Sequence, residues 1–415
     1  MKRLLLVLLT LGTASASQLR IYPAFSEVRD PVRVTTTTFT LDLPDSVYGQ
    51  VVPGTLDLEG LTVRAAQQRA RASWLATREG QTVTLLEDGR PPQRVTLVRA
   101  SDLTIRDADG RYRNVRFEQL AFDTLPPENA GARSQQLSFD VAAPGDATLS
   151  YLTRAVTWAP RYTLRLSGTS ATLSGLADLR NNSDVAYEVT AGELIAGDVN
   201  LVQGPPLPFD GAAKGGVAMP TAAPAPAISP QGESRGLYRY ALTQTFTLPA
   251  ASTLTLPFLD PKVSFERYAG LTTGFNTTGT TGKLERNYRV RADTLLPAGA
   301  VTVRDEGRIV GQAVINDTSA NEPIELDLGR DPDVGYTRSV QVVRQDKTST
   351  VYRVTLTLEN AKERALRVEY RELLGGNVTV QGGAARTPQG LEVRVDVPAK
   401  GKVTRSYTVT FRTGS

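Results

Sequence analysis

Leu391-Glu392-Val393-Arg394-Val395-Asp396-Val397 decides the fold class. Aliphatic and charged residues alternate without a break. Successive side chains of a strand point to opposite faces, so this stretch has one dry face and one wet face. The same period of two recurs along the chain. Tyr162, Leu164 and Leu166 alternate with Arg161, Thr163 and Arg165; Val354, Leu356 and Leu358 with Thr355 and Thr357; Leu366, Val368 and Tyr370 with Arg367, Glu369 and Arg371. Tyr407, Val409 and Phe411 close the series. Clean alternation belongs to antiparallel sheets with one solvated face, not to doubly buried parallel strands. The strands are short and punctuated by Gly, Pro, Asn and Asp, so the expected fold is all-β, built of immunoglobulin-like β-sandwich domains.

Working outward, Asp88-Gly89 and Asp109-Gly110 supply the positive φ of tight hairpins. The surrounding residues, about 80–125, read as four or five short strands of a small SH3-like barrel. The only stretch with helical composition is 61–76, where Ala and Arg concentrate. Residues 203–236 are rich in Pro, Ala and Gly, which predicts a disordered loop. Residues 272–281 form a Gly/Thr run and read as a second loop. No repeat of fixed period stands out. The resulting division is a signal peptide at 1–16, an N-terminal β region with the small barrel at 17–133, a first sandwich at 134–295 and a C-terminal sandwich at 296–415.

Lys2 and Arg3, the apolar run from Leu4 to Leu11, and Ala14-Ser15-Ala16 follow one another as the three parts of a secretory signal. The apolar run is shorter than the ~20 residues needed to cross a bilayer. An exported protein of the periplasm or outer cell envelope is expected, with no transmembrane segment after signal cleavage. The net charge of +4 falls to +2 without Lys2 and Arg3 (4 − 2), and basic residues alternate with acidic ones. That pattern argues against a nucleic-acid partner. Cys and His are both absent, which removes disulfides, thiolate chemistry, His-ligated metals and every mechanism with a histidine base. What survives is carboxylate, hydroxyl, Lys and Tyr chemistry, together with oxygen-ligand cation sites. No cofactor is expected.

Several segments resemble a bacterial family defined only as a domain of unknown function, which includes the mucoidy inhibitor A proteins. They are Leu19-Arg20-Ile21-Tyr22 with Glu27-Val28-Arg29-Asp30, and Tyr151-Leu152-Thr153 through Val156-Thr157-Trp158-Ala159-Pro160-Arg161-Tyr162. Leu179-Arg180-Asn181-Asn182-Ser183, Leu194 to Val199, Leu296-Pro297-Ala298-Gly299 and Leu328 to Val334 extend the likeness. The resemblance implies an exported, β-rich envelope protein and brings no catalytic residues with it. The long coiled-coil insert of the mucoidy inhibitor members is missing here.

Four residues stand out as binding candidates. Trp158 and Tyr162 lie on one strand face and suit either a glycan- or peptide-binding surface or the core, since Leu164 and Leu166 continue the stripe. Asp331 and Asp333 flank Pro332 and suit either a divalent cation, with help from Asp327, or a polar turn. Asp107 and Asp109 resemble the start of a Ca²⁺ loop, but the next residues are Arg111, Tyr112 and Arg113, which suits a hairpin. Arg64, Arg69, Arg71 and Arg78 form a local positive cluster. Asn181-Asn182-Ser183 matches a glycosylation acceptor. No Ser-x-x-Lys and no phosphate-binding glycine loop occurs. The expected function is an exported cell-envelope structural or protein-interaction module, with envelope proteins or surface glycans as partners. The alternatives are a carboxylate-dependent envelope polysaccharide hydrolase and a periplasmic chaperone-like sandwich.

Overall fold

The computed structural model describes residues 9–10, 16–127, 130–201 and 226–412. Strands take up 65% of the residues and helices 3%, so the fold is all-β with sandwich-like sheets. The expected signal segment lies outside the described residues except for 9–10 and 16.

The chain forms two compact units, Met1–Trp158 with Asp178–Leu256, and Ala159–Ala177 with Pro257–Ser415. This differs from the sequence division. The N-terminal region does not stand apart, because its strands complete the sheet of the expected first sandwich. Ala16–Ile21 pairs with Tyr187–Ala196, and Ser26–Val34 with Gly145–Thr153. Pairings across more than a hundred residues leave no mark in local composition.

The same strand plan occurs twice. In the first unit Ala16–Ile21 runs parallel to Tyr187–Ala196 and antiparallel to Ser26–Val34, which pairs antiparallel with Gly145–Thr153. Phe246–Leu248 pairs antiparallel with Tyr187–Ala196. In the second unit Val263–Gly274 runs parallel to Leu366–Leu373 and antiparallel to Thr280–Ala292, which pairs antiparallel with Ile324–Gln345. Gly390–Val397 pairs antiparallel with Leu366–Leu373. The sheets are therefore mixed, not purely antiparallel as the alternation suggested.

A buried asparagine marks the same corner of each repeat. Asn181 Nδ2 donates to the carbonyls of Val185 (2.7 Å), Leu248 (3.3 Å) and Pro249 (2.9 Å), and its Oδ1 accepts from Ser183 N–H (3.0 Å). Asn360 Nδ2 donates to those of Arg364 (2.8 Å), Val397 (3.3 Å) and Pro398 (3.0 Å), and its Oδ1 accepts from Lys362 N–H (3.0 Å). Two residues after each proline, Ala251 and Lys400 share a left-handed φ of 47° and 48°. The chain thus contains a duplicated module, where the sequence reading found no repeat. Burial of Asn181 also closes the glycosylation reading.

Each repeat carries an insertion between its second and third core strands. In the first, Thr38–Pro44, Ser134–Val141 and Val63–Arg71 form a sheet in that order, with Leu9–Thr10 beside Thr38–Pro44. The small barrel region follows inside it. Thr82–Leu85, Gln93–Arg99, Thr104–Arg106 and Tyr112–Asn114 form a meander, and Leu120–Ala121 returns to the first strand. Val83, Leu85, Val95, Leu97 and Ile105 give it a core of its own. In the second repeat the insertion is one hairpin, Gly299–Asp305 and Arg308–Ile315.

Three local expectations need correction. Val63–Arg71, inside the expected helix 61–76, is a strand paired antiparallel with Ser134–Val141; its residues lack an apolar stripe, so pairing overrides their helical propensity. Within the expected disordered loop 203–236, Ile228–Ser234 pairs with Leu237–Leu242, and Pro230 is tolerated because this strand is at the sheet edge; residues 203–225 lie outside the described residues. Thr272, Thr273 and Gly274 continue a strand beside Arg371–Leu373, so the Gly/Thr loop shrinks to 275–279.

Candidate functional site

Both insertions end in an edge strand that has a neighbour on one side only. Val63–Arg71 (Val-Arg-Ala-Ala-Gln-Gln-Arg-Ala-Arg) is exposed at every position after Val63. Its side chains are small or polar, and the strand flanks a groove of about 560 Å³. Val51, Val52, Pro53, Leu56, Leu137 and Phe139 give that groove apolar walls, and Ala66 and Gln68 of the strand form its rim. Tyr48 Oη donates to Gln68 Oε1 (2.6 Å), whose Nε2 donates to Gln135 Oε1 (3.1 Å), holding the rim in place. On the opposite face Arg71 pairs with Asp42 at 2.7 Å and Arg69 has no ion-pair partner among the described residues; nor has Arg64, the extra residue where the register with Ser134–Val141 shifts. The edge therefore offers unpaired backbone groups, an apolar groove and spare positive charge.

Arg308–Ile315 (Arg-Ile-Val-Gly-Gln-Ala-Val-Ile) is the other edge. Val310, Ala313 and Ile315 face the core of their sandwich. Ile309 and Val314 face water, at 59% and 80% exposure.

In the second unit several buried charged groups satisfy one another. Glu369 is buried on the outer face of the second unit's nine-stranded sheet. It accepts hydrogen bonds from Arg289 (2.8 and 3.2 Å) and Arg371 (2.6 Å), and Arg394 lies 3.2 Å away. Burial works to raise its pKa, but Arg289, then Arg394 and Arg371, outweigh it and hold the carboxyl below its usual value. Inside the same sandwich Arg338 makes a buried bidentate pair with Glu372, which also accepts from Tyr370 Oη (3.1 Å). In the first unit Asp30 is less well served. It is buried, its Oδ1 has no partner among the described residues, and burial raises its pKa. Burial likewise pushes the nearby Tyr187 hydroxyl up to about 12.

The four candidate binding residues do not converge. Trp158 is 1% exposed and donates its indole N–H to Ile195 O (2.9 Å). Tyr162 is 2% exposed and donates its hydroxyl to Pro297 O (3.0 Å). Both fill cores, so neither offers a face to a glycan. Asp331 and Asp333 already have a cation, the Lys362 ammonium, at 3.0 and 3.4 Å. Asp327 accepts from Gly329 N–H instead of joining them. Asp107 accepts from Arg111 N–H (2.9 Å) within its hairpin. Of the arginine cluster, Arg78 turns away and lies over the Trp74 ring at 4.7 Å. Among the described residues no group of three or more acidic side chains is placed to hold a metal ion.

Compared with protein-family models, curated proteins and solved structures, the chain matches none. The two edges were missed because an edge is a property of sheet order. The one available signal was the conflict at 63–71, where helical composition came without helical periodicity.

Proposed function

We propose that this chain is an exported cell-envelope interaction module that holds an extended segment of a partner protein along Val63–Arg71. The observation that carries it is a nine-residue edge, exposed along its length, beside an apolar groove. Adding a strand there satisfies backbone groups on both sides, and the groove receives alternate side chains. Arg64 and Arg69 favour an acidic segment. The signal-like N-terminal residues and the resemblance to the mucoidy inhibitor A family support the envelope as its place. The reading is closest to the chaperone-like alternative in its chemistry. The hydrolase alternative draws no support from five surface clefts, each lined by at most one carboxylate.

The test is calorimetric titration of the full chain with a nine-residue peptide of alternating glutamate and valine, and with its lysine–valine counterpart. The expected result is saturable binding of the acidic peptide that weakens with salt. A Gln67→Pro variant, which places a ring in the edge, should lose binding tenfold or more. Absence of binding by both peptides, or an unchanged affinity in Gln67→Pro, refutes the proposal.

A further inference from the structure

The second edge fits a different occupant. Residues 309–316 (Ile-Val-Gly-Gln-Ala-Val-Ile-Asn) carry no charge, and Arg308 and Asp317 close the two ends with opposite signs. Ile309 and Val314 are the most exposed apolar side chains of the strand. Long, uncharged, apolar edges are what soluble proteins ordinarily avoid by placing charge or proline there. The register shift opposite Val303 and Arg304 leaves Val310 as an extra residue, and Gly311–Ile315 keep a regular register beyond it.

We propose that a second copy of this chain pairs with this edge, antiparallel and about a two-fold axis near Ala313. The sequence is self-complementary in that direction. On the outer face Gln312 of each copy meets Val314 of the other, with Ile309 at the rim. Arg308 of each copy reaches the Asp317 end of the other, where Asp317 uses one oxygen to accept from Ala298 N–H and keeps the second for the pair. The Arg308 side chain has no ion-pair or hydrogen-bond partner within its own chain among the described residues. A single two-fold contact closes on itself, which makes a dimer and not a fibre. The first edge is less suited to self-pairing, because it brings Arg64, Arg69 and Arg71 of each copy to one contact.

Sedimentation velocity of the full chain from roughly 1 to 200 µM tests the assignment. A concentration-dependent dimer is expected. Val314→Lys with Ile309→Lys, both at exposed positions, should raise the dissociation constant tenfold or more, whereas Val314→Ile should keep it within about threefold. Hydrogen exchange at Gly311–Ile315 should slow as concentration rises. A monomer throughout the range, or a dissociation constant unchanged by the double lysine substitution, overturns the proposal. The Gln67→Pro variant should dimerise normally, so failure here is separable from failure of peptide binding.

Discussion

The two insertions occupy the same place in two copies of one module, yet they finish their sheets in opposite ways. Val63–Arg71 is polar and basic and lies beside an apolar groove. Arg308–Ile315 carries no charge after Arg308 and exposes Ile309 and Val314, which suits a second copy in the proposed pairing. In the proposed function the duplicated core is the platform and the insertions carry the contacts. Edge chemistry, more than fold, decides what each half can meet.

The comparison breaks first if the platform fails. Glu369→Ala leaves Arg289, Arg371 and Arg394 facing one another without their shared carboxylate. It should destabilise the second unit by about 3–5 kcal/mol and leave the first intact, as read by denaturant unfolding with hydrogen exchange. The duplication predicts matched losses next. Asn181→Ala and Asn360→Ala each strand carbonyls at equivalent corners, and each should cost roughly 3 kcal/mol in its own unit. A large difference between them would mean that the two corners do different work.

The edges themselves can be exchanged in character. Arg64→Val with Arg69→Val should let the first edge self-associate and weaken acidic-peptide binding about tenfold, roughly 1.4 kcal/mol. Calorimetry and sedimentation of the same sample would read both effects.

The smallest effect concerns pH. Asp30 has a raised pKa, so its contribution is fully present below the unfolded value and is lost as pH rises through the folded one. Glu369 has a lowered pKa, so its contribution is present above the unfolded value and is lost as pH falls through the folded one. Acidification should therefore favour the first unit through Asp30 and weaken the second through Glu369. Asp30→Asn should stabilise the first unit by about 1 kcal/mol at neutral pH, and the gain should vanish in acid where Asp30 is protonated. Thermal melts at the two pH values check this.

Much of the architecture is legible in the sequence. Alternation at 391–397 and 366–371 fixes strand faces, and the Asp-Gly turns place the small barrel. The duplication is not legible, because the insertions at 35–144 and 293–323 differ greatly in length and displace the matching strands. Asn181-Asn182-Ser183 was visible as a motif, but its partners at Leu248 and Pro249 are remote in sequence, so its role as a corner staple was hidden. Trp158 and Tyr162 share one strand face, a pattern that suits ligand binding and core filling alike, and only their burial separates the two. The Val63–Arg71 edge reads as helix because Ala, Arg and Gln favour one, and only its pairing with Ser134–Val141 says otherwise.

The most direct measurement is backbone hydrogen exchange of the full chain across Val63–Arg71, with and without the glutamate–valine peptide. Binding by strand addition predicts that alternate amides of this strand, those pointing away from Ser134–Val141, slow tenfold or more, while Arg308–Ile315 is unaffected. Unchanged exchange at Val63–Arg71 under saturating peptide would contradict the account.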